Sequence, residues 1–108
     1  MEVLRDNAKG GIHPLAVVDP GARLGVGVTV GPFSVIGRDV HVGDGTVVHN
    51  HVTLTGFTRV GQRCTFYPGC IIGCPPQDLK FRGEQTTIEI GDDNVLREQV
   101  TMHPGTRG

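Results

Sequence analysis

The sequence predicts an all-β chain wound into a triangular coil of short parallel strands. Three observations predict it. Apolar residues recur every six positions. Compact residues recur at a second position of the same frame. Glycine is abundant, at 17 of 108 residues, and falls repeatedly beside the first position, while Trp is absent. That composition suits short strands and many turns and is poor material for a helical bundle.

The apolar frame runs Ile12, Val18, Leu24, Val30, Ile36, Val42, Val48, Leu54, Val60, Phe66 and Ile72. All are apolar in a chain that is 37% apolar overall, so the spacing is read as an internal repeat. Neither the α-helix, with its period of about 3.6, nor an isolated strand, with a period of about 2, produces it. A chain that turns a corner every six residues does. Three such sides close a coil, and successive coils stack at the strand spacing of about 4.8 Å. The apolar anchor then points into the prism. Four residues after it come Ala16, Ala22, Val28, Ser34, Val40, Thr46, Val52, Thr58, Cys64 and Cys70, all compact enough to fill the remaining interior. Gly25, Gly31, Gly37, Gly43, Gly61 and Gly73 directly follow an anchor, where a corner requires backbone angles closed to other residues. A β-sandwich would instead show alternation of period two and irregular turns.

The frame breaks at Asp78 and Glu84 and resumes in phase at Ile90, Leu96 and Met102, with Gly91 again at the corner. Residues 78–89 are therefore expected to be an insertion that leaves the register intact and projects as a loop. Residues 1–11 are expected to be a leader or N-terminal cap, and residues 12–108 the coil. A solenoid needs its ends covered. The chain stops at Gly108 just after a complete repeat, so the expectation is a truncated β-helix whose further coils are absent.

Charge and composition exclude several function classes. Formal net charge is −1, and Lys and Arg are scattered without a basic block. Nucleic-acid binding has no electrostatic support in such a pattern. No apolar run approaches the roughly 20 residues that span a bilayer. The first eleven residues carry charges and no apolar stretch of the signal-peptide kind, so the cytoplasm is expected. Cys64, Cys70 and Cys74 match no common zinc spacing and are read as small free buried side chains. No metal and no cofactor is expected.

The chemistry is expected in Gly73–Gly108, because an irregular excursion from a rigid scaffold is often a binding loop. This segment carries Pro76-Gln77-Asp78-Leu79-Lys80-Phe81, then Gly83-Glu84 and Thr86. It continues with Ile90-Gly91-Asp92, Asn94, Arg97-Glu98, Val100-Thr101, His103 and Gly105-Thr106. With His13-Pro14 and Gly31-Pro32-Phe33, these residues resemble the acyl-(acyl-carrier-protein)–UDP-N-acetylglucosamine O-acyltransferases that begin lipid A synthesis. The resemblance covers residues 12–108. Its hexapeptide part is shared by many acyltransferases, whereas the QDLK loop followed by the IGD and REQVT segments is more specific.

The resemblance implies a left-handed coil and a homotrimer with sites between subunits. It implies transfer of a hydroxyacyl chain from acyl carrier protein to the 3-hydroxyl of UDP-N-acetylglucosamine. Gln77, Asp78, Lys80 and His103 correspond to substrate-binding residues. Asp78 would accept a hydrogen bond from a sugar hydroxyl, and Lys80 would stabilise an anionic or polar part of the ligand. The family's general base is a histidine about a coil and a half beyond the position of His103. None of His13, His41, His49, His51 or His103 matches it, so no catalytic residue is assigned and the isolated chain is expected to turn over weakly or not at all. Phe81 stands where tyrosine is usual and Pro104 where arginine is common, which puts an anion contact in doubt.

Three other readings compete. One is a different hexapeptide acyl- or acetyltransferase acting on another nucleotide sugar. Another is a γ-class carbonic anhydrase, whose zinc histidines include a pair five residues apart. Here His49 and His51 are two apart, a spacing that on a strand would put both on one face. The last is a non-catalytic β-helix that only trimerises.

Overall fold

The computed structural model describes residues 11–73 and 87–102. Its fourteen strands are β1 (Gly11–Ile12), β2 (Val17–Val18), β3 (Arg23–Leu24), β4 (Thr29–Val30), β5 (Val35–Ile36), β6 (His41–Val42), β7 (Val47–Val48), β8 (Thr53–Leu54), β9 (Phe57–Val60), β10 (Thr65–Phe66), β11 (Ile71–Ile72), β12 (Thr87–Ile90), β13 (Val95–Leu96) and β14 (Thr101–Met102). Every third strand belongs to the same sheet. The first face is β1-β4-β7-β10-β13, the second β2-β5-β8-β11-β14 and the third β3-β6-β9-β12. All pairings are parallel.

Each strand ends on its anchor, and the residue before it faces out. Val30, Ile36, Val48, Leu54, Phe66 and Ile72 are buried almost completely, as are the compact residues Val28, Ser34, Val40, Thr46, Val52, Thr58, Cys64 and Cys70. The two recurring positions therefore fill one continuous core along the prism axis. Each large aliphatic side chain so buried contributes about 1.5–3 kcal/mol.

The register confirms that the insertion preserves phase. Thr29 pairs with Val47 and Val47 with Thr65, one coil apart each time. Across the insertion Thr65 pairs with Val95, Ile71 with Thr101 and Val60 with Ile90, so anchors still meet anchors. The excursion ends sooner than the sequence frame suggests. Thr87, Ile88 and Glu89 are strand, paired with Phe57, Thr58 and Arg59. Alternation along β9, with Thr58 and Val60 buried, matches the half-buried Ile88 and buried Ile90. Only the described part of 78–89 is assigned to strand here.

The corners work differently from the sequence expectation. Left-handed backbone recurs three residues after the anchor, at Gly27, Phe33, Gly45, His51, Arg63, Gly69, Asp93 and Gln99. Most glycines directly after an anchor have ordinary φ. Gly25, Gly31, Gly43 and Gly61 are needed because the next coil approaches too closely for a side chain. A Cβ on Gly43 would lie 2.6 Å from the Gly61 carbonyl, and one on Gly25 would collide with the Asp44 carboxylate. Asp44 and Asp92 use that space, each accepting a hydrogen bond from a backbone N–H of the coil beneath, at Val26 and Gln62 (2.8 Å each).

Candidate functional site

The corner between the second and third faces holds the candidate site. On successive coils it is occupied by Asp19, Gly37, Thr55 and Gly73, each directly after an anchor. Gly73 is where the excursion departs. Its φ is 93°, and a Cβ there would run into the Thr55 carbonyl oxygen, so glycine is needed on both counts. Its N–H donates to the Met102 carbonyl at 2.8 Å. Met102 pairs with Ile72 in register. The chain position that follows Met102 is 103. The fold thus brings the origin of the excursion and the approach to His103 onto one corner, one coil apart. The return at Thr87 leads directly into the third face.

Gln77, Asp78, Lys80 and His103 themselves lie outside the described residues, as does Cys74. What the structure supplies is their anchorage. Gly73–Met102 holds one end and the four-residue pairing of β12 with β9 holds the other. Thr58 tightens the same corner by donating its hydroxyl to the Thr55 carbonyl at 2.8 Å.

The remaining histidines are engaged locally. The His13 Nδ1 accepts from the Leu15 N–H at 3.0 Å, which assigns the ring proton to Nε2 in neutral imidazole. His49 stacks on Tyr67 with ring centroids 5.0 Å apart, and the Arg97 guanidinium lies 4.4 Å over the Tyr67 ring. His51 sits in a left-handed corner against Phe33. His49 and His51 are therefore corner residues, and the strand geometry that would have set both on one face does not apply. Among the described residues no three His, Cys, Asp or Glu side chains gather as a metal site.

Cys64 and Cys70 are free and buried, and burial pushes the Cys70 thiol pKa up. Arg63 holds Asp93 through Nε–Oδ1 at 2.8 Å and a second bond at 3.0 Å, which lowers the Asp93 pKa. The pair is solvent-exposed and lies at the corner between the third and first faces, away from the excursion.

Known proteins match this arrangement. The family described as bacterial transferase hexapeptide (six repeats) matches residues 21–56. An acyl-(acyl-carrier-protein)–UDP-N-acetylglucosamine O-acyltransferase of Thermodesulfovibrio yellowstonii is 46% identical over 92 residues, covering 85% of this chain and 36% of the relative. A crystal structure of a UDP-N-acetylglucosamine acyltransferase superposes with a TM-score of 0.87 at 41% identity, over 92% of this chain and 38% of the other. The enzyme of that name from Bacteroides fragilis gives 0.81 at 46% identity, over 86% and 36%.

Over most of its own length this chain is similar to the UDP-N-acetylglucosamine O-acyltransferases. It shares their left-handed parallel β-helix. It spans a little over a third of the length of the acyltransferases it matches. Among the described residues no helix is long and apolar enough to cross a membrane.

Proposed function

We propose that this chain is part of an O-acyltransferase that moves a hydroxyacyl chain from acyl carrier protein to the 3-hydroxyl of UDP-N-acetylglucosamine, the first step of lipid A biosynthesis. The observation that supports it most is the phase-preserving excursion at the second corner, carrying the QDLK run and tied beside the strand that leads to His103. Relatives at 46% identity carry the name of this activity. In the reaction the sugar oxygen attacks the thioester carbonyl. A C–O bond forms, the C–S bond breaks, and the hydroxyl proton passes to a general base. Gln77, Asp78, Lys80 and His103 are proposed to bind the nucleotide sugar, and no residue of this chain is assigned the base. The working assembly is proposed to be a cytoplasmic homotrimer with sites between subunits.

The test is a chimera in which residues 12–108 replace the matched segment of the Thermodesulfovibrio yellowstonii enzyme. Ester formation from acyl carrier protein thioester and UDP-N-acetylglucosamine, at a rate within about tenfold of the parent, supports the proposal (one tenfold step is about 1.4 kcal/mol). A folded, trimeric chimera without turnover contradicts it.

A further inference from the structure

The third face carries a feature that no acyltransferase argument uses. Arg23, His41 and Arg59 are paired in register on β3, β6 and β9. The residues after them, Leu24, Val42 and Val60, point into the core. Alternation therefore sets the two guanidiniums and the imidazole in one outward file, at about 4.8 Å per coil. The file forms one side of a cavity of about 320 Å³. Arg38 enters it from the neighbouring corner, where a Cβ on Gly21 would lie 2.6 Å from the Arg38 Cγ, so glycine leaves room for that side chain. Phe57 supplies an apolar wall.

None of these guanidiniums is held in an ion pair among the described residues. The two ion pairs found there are Arg63–Asp93 and Arg97–Glu98, and neither involves Arg23, Arg38 or Arg59. Asp39 lines the cavity, and Glu89, paired in register with Arg59, is not part of its lining. The cavity lining thus holds three guanidiniums against one carboxylate. Guanidinium groups are fork-shaped donors suited to phosphate oxygens, and a concave wall strengthens their field. Arg23 and Arg59 stand two coils apart, about 10 Å along the face. That separation suits an anion with two charged groups better than one with a single group.

We propose that this groove binds a diphosphate-type anion, free or as the diphosphate of a small phosphorylated molecule, through Arg23, Arg38 and Arg59. The proposal does not rest on the acyltransferase reading. It is tested by titrating inorganic pyrophosphate, and separately orthophosphate, into the full 108-residue chain at low ionic strength by calorimetry. The same titrations are run on Arg23→Gln, Arg59→Gln and the charge-matched control Arg63→Gln, with circular dichroism to confirm folding. One saturable pyrophosphate site is expected, bound more tightly than orthophosphate. Each groove substitution is expected to weaken it at least tenfold and the control less than twofold. No saturable binding, equal affinity for the two anions, or equal weakening by Arg63→Gln would overturn the site.

Discussion

At the residue scale, the compact inner position does more than fill space. The Ser34 hydroxyl donates to the His49 carbonyl at 2.6 Å and accepts from the Val52 N–H at 3.0 Å. Thr46 does the same two thirds of a coil on, donating to the Gly61 carbonyl at 2.9 Å and accepting from the Cys64 N–H at 3.1 Å. Cys64 and Cys70 occupy the equivalent position across the insertion, with their thiols 3.0 Å from the Gly91 and Arg97 carbonyls. Each donor thus reaches the corner carbonyl of the next coil. Replacing Ser34 with Ala would leave a buried N–H and carbonyl without this partner, a loss of about 1–3 kcal/mol in a urea melt. Cys64 and Cys70 are expected to resist alkylation in the folded chain and to react on denaturation, as mapped by mass spectrometry, because both thiols are buried and burial also pushes the Cys70 pKa up. The sequence showed these residues to be small. It could not show that they are donors, because the recipient carbonyl lies on another coil.

At the scale of the element, corners separate by what they demand of glycine. Gly73 has a left-handed φ and no room for a side chain, and Gly91 meets nothing closer than the Asn94 Nδ2 at 3.8 Å. Gly73→Ala is therefore expected to cost more than about 2 kcal/mol in chemical denaturation, combining backbone strain with a steric collision. Gly91→Ala is expected to stay within about 0.5 kcal/mol. The bidentate Arg63–Asp93 pair belongs to the corner between the third and first faces, and its effect depends on pH. The folded Asp93 pKa lies below its unfolded value near 3.9. The stabilisation is thus present above about pH 4 and disappears as pH falls through the folded value. Accordingly, the Tm difference between wild type and Asp93→Asn should shrink between pH 7 and pH 2. A difference that grew would mean the pair is not the cause. Corner glycines were legible in the sequence as positions, but their reason was misassigned. At Gly25, Gly31, Gly43 and Gly61 the role is close approach between coils, and only paired coordinates reveal that.

At the scale of the whole molecule, the period of six residues carried nearly all of the architecture. It set the three faces, the inner and outer positions and the in-phase twelve-residue insertion, because a solenoid makes every coil answer only to its neighbours. Handedness came from resemblance alone. Charge on the third face was missed for the opposite reason. Arg23, His41 and Arg59 look scattered along the chain and become neighbours only when it coils. The candidate site was half legible. The break in the frame marked Gln77, Asp78 and Lys80, and the fold adds that their segment leaves from the corner approached by residue 103. If these residues form one substrate site, their substitutions should not act independently. The most direct measurement is a double-mutant cycle of Asp78→Ala and His103→Ala in the active chimera, read as kcat/KM for UDP-N-acetylglucosamine. Each single change is expected to cost about 10- to 100-fold, the range for a hydrogen bond to a charged group. The double change should cost clearly less than their product. Two single variants that leave kcat/KM unchanged, or a double variant that equals the product, would contradict a shared site.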